Sequence, residues 1–140
     1  MIRKFLLIML GPLLGCSEQY LLSSVLEDEI FNALQETKGQ SIDFSTLAGD
    51  EWGKVCFFGP YNQQSSEALG FEWNVDKHTN ALKSDSHNVI VFATESEVIG
   101  YTVFARRNGD FSNLSGECIF RESAQLSRSI DSLTWKTLRE

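Results

Sequence analysis

Two histidines and three cysteines carry most of the reactive chemistry in this chain of 140 residues. Each histidine follows an aspartate by two positions, in Asp76-Lys77-His78 and Asp85-Ser86-His87. A carboxylate and an imidazole in one loop can bind zinc or pass a proton between them. Their spacing, however, fits neither one helix face nor a zinc knuckle, and Asp-x-His is common in solvated loops. No metal site is expected and no catalytic residue is assigned. A serine nucleophile would need a sharp elbow of the Gly-x-Ser-x-Gly kind, which is absent. Cys56 sits in an apolar run, a poor setting for a thiolate. No glycine cluster combines with a lysine and a hydroxyl to cradle phosphate, so no cofactor is implied. The aromatics Trp52, Tyr61, Phe71 and Trp73 could stack on a sugar or peptide if they faced outward; facing inward they would close the core, the commoner fate of large rings. Arg106-Arg107 beside a turn reads as a solvated pair, with contact to an acidic partner as its functional alternative.

Cys16 stands in a different context. Arg3 and Lys4 open the chain, Phe5 to Leu14 form an apolar run, and Leu13-Leu14-Gly15-Cys16 closes it. A spanning helix needs about 20 apolar residues, so this run is too short to be one, and its basic start suits a secretory signal. Pro12 would break a stable buried helix but is tolerable in a discarded segment. The stretch resembles the signal peptide and lipobox of bacterial lipoproteins; a plain signal peptide with a chance cysteine is the alternative. The resemblance implies a diacylglyceryl group on the Cys16 thiol, cleavage between Gly15 and Cys16, and acylation of the freed amine. It divides the chain into a leader, 1–15, and one tethered domain, 16–140. Each buried methylene contributes about 0.8 kcal/mol, so two or more acyl chains hold stably. In Gram-negative lipoproteins an aspartate after the cysteine usually marks inner-membrane retention. Ser17 therefore implies the outer membrane, facing the periplasm, and a Gram-positive source would place the domain outside its single membrane. The implied partners are the membrane, through the lipid on Cys16, and an unidentified envelope protein.

Loss of the leader removes Arg3 and Lys4 and deepens the net charge from −7 to −9. So acidic a domain is a poor match for nucleic acid or for anionic lipid. The apolar share, 42%, is that of an ordinary folded domain. In the oxidising compartment beyond the membrane, Cys56 and Cys118 are expected to form a disulfide, with two buried free thiols as the alternative.

These residues need elements to position them. Leu22, Leu26, Ile30 and Leu34 repeat every four residues and predict a helix from Ser17 to about Gln40, with Val25, Phe31 and Ala33 widening its apolar face. Ser24 and Glu27 have capping-box spacing, so the regular helix is expected to start at either Ser17 or Ser24, and Gly39 stops it. Its acidic polar face favours packing on a sheet over lying on lipid. Ile42 and Phe44 mark a short extended piece. Val55 to Phe58 is a continuous apolar run that suits a central strand, ended by Gly59-Pro60. Asn62 is placed to cap a short helix from Gln63 to Leu69, with Gly70 at its end. Asn74 to Asn88 reads as an irregular loop. Asn88 to Thr94 and Val98 to Arg106 form strands joined at Glu95-Ser96-Glu97, and Asn108-Gly109 signals a type I′ turn. Glu117 to Arg121 is a further strand. In Gln125 to Leu138, Leu126, Ile130, Leu133 and Leu138 partly fit a helix, whereas Leu133, Trp135 and Thr137 alternate like a strand, and the stretch is read as a weak edge strand.

The segment from Trp52 through Gly59-Pro60-Tyr61 to Leu69-Gly70-Phe71, with Leu114-Ser115-Gly116-Glu117-Cys118, resembles a pattern in small uncharacterised bacterial lipoproteins and periplasmic proteins. No activity comes with that resemblance. The expected fold is α+β: an N-terminal amphipathic helix and a short second helix packed on a mainly antiparallel sheet of about four to five strands. The expected function is that of a membrane-anchored, non-enzymatic protein-binding or scaffolding domain. The alternative is a tethered small-ligand-binding protein or hydrolase built on the 74–88 loop and Trp52, Tyr61 and Trp73.

Overall fold

The computed structural model describes residues 23–138. The leader, the lipobox cysteine Cys16 and positions 17–22 of the expected first helix lie outside the described residues. In chain order the elements are helix α1 (Ser24–Glu36), strands β1 (Ser41–Asp43) and β2 (Lys54–Phe58), helix α2 (Ser65–Leu69), and strands β3 (His87–Ala93), β4 (Val98–Ala105), β5 (Cys118–Phe120), β6 (Gln125–Arg128) and β7 (Trp135–Thr137). The content is α+β, but the strands divide between two antiparallel sheets. One has the order β4-β3-β2-β5 and the other β1-β6-β7.

Strands β2 and β3 sit in the middle of the larger sheet because they are apolar on both faces. Val55, Phe57, Ile90 and Phe92 face one side, where α1 and the smaller sheet supply Leu26, Ile30, Leu34, Ile42, Leu126 and Trp135. Cys56, Phe58, Val89 and Val91 face the other side and pack with Leu69, Val75 and Leu82. The expected 74–88 loop thus has a structural task. Its two 3-10 turns, Val75–Lys77 and Ala81–Lys83, drive Val75 and Leu82 into the second face.

Local signals were used with small displacements. Helix α1 begins at Ser24, yet its cap is Ser23, whose Oγ accepts the Leu26 N–H at 3.2 Å. Gly39, at φ +73, follows the helix and donates its N–H to the Leu34 carbonyl at 2.8 Å. Leu26, Ile30 and Leu34 are buried, whereas Val25 and Phe31 are exposed. The apolar face is narrower than expected because those two lie about 100° off the buried stripe. Asn62 does not cap α2; its side chain accepts the Gln64 N–H at 2.8 Å in a turn ahead of the helix. Gly70, at φ +82, closes α2.

Gly109 is not the pivot of a type I′ turn. Its φ of 169° is extended backbone, and the reason for glycine is space: a β-carbon there would lie 2.8 Å from Leu34 Cδ1 and 3.2 Å from Phe104 Cε1. The C-terminal stretch supplies two strands where one edge strand was expected. β6 runs between β1 and β7, and β7 is the edge. Cys56 and Cys118 are bonded. They are direct partners in the β2–β5 register, with Cα atoms 4.1 Å apart, the spacing of a non-hydrogen-bonded antiparallel pair.

Candidate functional site

The residues singled out from the sequence separate into groups. Trp52 is buried, packs edge-on against Phe92 with centroids 5.1 Å apart, and donates from Nε1 to the Leu47 carbonyl at 2.8 Å. The Arg121 guanidinium lies 4.5 Å from its ring centroid and donates to the carbonyls of Ser45, Gly49 and Trp52. Trp52 is therefore a core residue clamped by an arginine.

Tyr61 is exposed and its backbone sits at φ +63. The neighbouring Asp85 carboxylate, together with desolvation, holds the pKa of its hydroxyl above the usual tyrosine value. The Asp85 carbonyl accepts from Arg106 at 2.6 Å, and Arg106 pairs with Asp110 at 2.8 Å. Arg106 thus ties two loops together and is not a free solvated charge. His87 Nδ1 lies 3.0 Å from Ser86 Oγ.

Trp73 and His78 form the second group. Their rings stack 4.5 Å apart at 10°, with Tyr101 edge-on to both. Burial raises the Tyr101 pKa. The histidine covers a face of the indole on which a sugar would otherwise stack. Asp76 lies at the start of this turn, where its N–H is held by Asn74 Oδ1 at 2.9 Å. The structure brings Tyr61 to Asp85 and Trp73 to His78, but it does not gather Asp76, His78, Asp85 and His87. Among the described residues no three His, Cys, Asp or Glu side chains converge to hold a metal ion.

Among the described residues an open concavity lies elsewhere. A groove of about 970 Å³ runs between the start of α1, the β3–β4 hairpin and the loop after β1. Its apolar lining includes Val25, Leu26, Ala48, Phe92, Val98 and Ile99, and its carboxylates are Glu29, Asp50, Glu51 and Glu97. Among the described residues no lysine, arginine or histidine lines it. Each wall has a structural cause. The register shifts between Phe92 and Ala93, pairing Ala93 with Val98 and Phe92 with Gly100 and leaving Ile99 outside the ladder. Such a bulge re-aims a side chain. The opposite wall turns at Ala48 and Gly49, both left-handed at φ +62 and +70. Alanine adopts that conformation only under constraint. Here Glu29 Oε2 accepts the Ala48 N–H at 2.9 Å and Arg121 takes the Gly49 carbonyl at 2.8 Å.

The chain matches no protein-family model, no curated protein and no solved structure.

Sequence reasoning missed the groove because its parts carry no motif. From sequence Val25 reads as part of the apolar face of α1, and nothing in Leu47-Ala48-Gly49 announces a left-handed alanine. The one available signal was the concentration of acids, Glu27 to Glu29 and Asp50-Glu51, on elements that also expose apolar residues.

Proposed function

We propose that this protein is an envelope lipoprotein: exported by its leader, tethered through a diacylglyceryl group on Cys16, and acting as a non-enzymatic protein-binding module. The leader chemistry supports the tether. The observation that carries the binding role is the position of the groove. It is open and floored by apolar side chains, and none of Asp76, His78, Asp85 or His87 lines it. An open groove that sets apolar side chains among surface carboxylates, away from the histidine-bearing loop, suits a protein contact, whereas an enzyme or small-ligand site would draw its convergent polar groups into an enclosed pocket. Lipid anchoring favours the same role, since confinement near a bilayer raises the effective concentration of a membrane-bound partner.

The test is photocrosslinking in cells, with a photoreactive residue at Ile99 in the groove or at Lys83 in the loop. The binding reading expects a discrete protein adduct from position 99 and none from position 83. Adducts from neither position would overturn it.

A further inference from the structure

The groove's lining says which kind of protein segment it takes. Resting on the protein-binding reading above, we infer that the groove holds a basic segment of the partner, extended or helical, that places lysine or arginine on either side of an apolar side chain. Among the described residues four carboxylates line it, and no lining cation answers them. Arg121 offsets only one, with its guanidinium 3.8 Å from a fully exposed Asp50 carboxylate. The Glu29 carboxylate is fixed by the Ala48 N–H, so one negative charge is held at the wall and not swung into solvent. Charges so placed beside a low-dielectric floor focus their field on the groove and select a cationic occupant.

The apolar half of the recognition is equally specific. Val25 is 62% exposed on the first turn of α1, and Ile99 is released from the ladder by the bulge. Beside the buried Leu26 and Phe92 they offer an apolar surface able to accept an aliphatic or aromatic side chain. The walls are pre-formed. The left-handed Ala48 is held by Glu29, so little ordering cost falls on binding. A second copy of this chain is a poor occupant, because its own net charge has the same sign. The groove also begins at Ser23, seven residues after Cys16, a span of about 25 Å at full extension. On a lipid-anchored protein the groove therefore stays close to the bilayer, and the fitting partner is a membrane protein with a basic stretch near the surface.

The test uses the full-length chain, ¹⁵N-labelled, in a neutral detergent. The probe is acetyl-Lys-Leu-Lys-Leu-Lys-amide, with acetyl-Glu-Leu-Glu-Leu-Glu-amide as control. The basic peptide is expected to shift the amide resonances of Val25, Ala48, Ile99 and Gly100, with affinity falling as salt rises. The acidic peptide is expected to shift none of them. Replacing Asp50, Glu51 and Glu97 by lysine, with Glu29 left in place, is expected to weaken binding by about tenfold or more. A matched set at Asn, Gln and Gln shows whether the loss follows charge, and the unshifted resonances of the core strands report that both variants fold. Equal binding of both peptides, shifts mapping outside the groove, or contacts showing the groove filled by residues 16–22 or by a second copy would each overturn the inference. A position-99 adduct in cells with no peptide response would sink the basic-segment assignment while leaving the protein-binding reading intact. Loss of both would sink the two together.

Discussion

The Gly59 N–H donates to Ser115 Oγ at 2.8 Å across fifty-six positions of sequence. That bond joins the end of β2 to the loop before β5. Ser115 Oγ also accepts from Asn62 Nδ2 at 2.9 Å, and the Gly116 N–H reaches the Phe57 carbonyl at 2.8 Å. The Gly-Pro-Tyr-Asn and Leu-Ser-Gly-Glu-Cys stretches are therefore two halves of one clasp. Ser115→Ala leaves the buried Gly59 N–H without its acceptor and is expected to cost about 1–3 kcal/mol in urea unfolding. Gly59→Ala acts from the other side, because its β-carbon would sit 3.2 Å from Ser115 Cβ. If Ser115→Ala leaves the unfolding midpoint unchanged, the clasp has no structural weight.

The disulfide closes a sequence separation of 62 residues. On the chain-entropy argument its loss costs ~4 kcal/mol. Paired replacement of Cys56 and Cys118 by alanine is expected to lower stability by about that amount, because the unfolded chain gains freedom while the β2–β5 ladder keeps its backbone bonds. Reductant should then lower the unfolding midpoint of the wild type and leave the double variant unaffected. A wild type indifferent to reductant would contradict this.

Gly109→Ala forces a methyl against Leu34 and Phe104 in the core and is expected to destabilise by about 1–3 kcal/mol. The contact is tested by a double-mutant cycle with Leu34→Ala. Each single change is costly, but removing the Leu34 side chain makes room for the methyl, so the pair should cost less than the sum. Additive costs would mean that the clash is relieved elsewhere.

The elements that sequence reasoning located well were those whose cause is local. The apolar runs of β2 and β3, the four-residue repeat of α1 and the stop at Gly70 depend on residues within one turn or strand. What it misplaced depends on distant partners. Gly109 looks like a turn glycine until Leu34 is seen behind it. Val25 looks buried until the stripe of Leu26, Ile30 and Leu34 is seen to suffice. For Trp52 the core reading holds, but the choice between core and ligand platform could not be closed from sequence because Arg121, which covers it, lies far away along the chain. The division of the strands into two sheets was equally hidden, since β1 pairs with β6 across most of the chain. The groove was least legible, because a bulge at Ile99 and a left-handed Ala48 leave no residue-type signature.

Asp110 gives the acid limb of stability a defined source. Burial works to raise its pKa, but hydrogen bonds from Arg106 and Ser112 outweigh it, and the net shift is downward. A carboxyl whose folded pKa is depressed stabilises the fold above its unfolded pKa, about 3.9, and loses that contribution as pH falls through the folded value. The wild type should therefore lose stability on acidification below about pH 4 more steeply than Asp110→Asn. Parallel curves of stability against pH would remove Asp110 from this role.

The tether is tested most directly by metabolic labelling with radioactive palmitate in cells producing the wild type or Cys16→Ser. The wild type should carry label and migrate as the chain beginning at Cys16, while Cys16→Ser should be unlabelled. Equal labelling of the two, or a freely soluble wild type cut at another bond, would contradict the lipoprotein assignment.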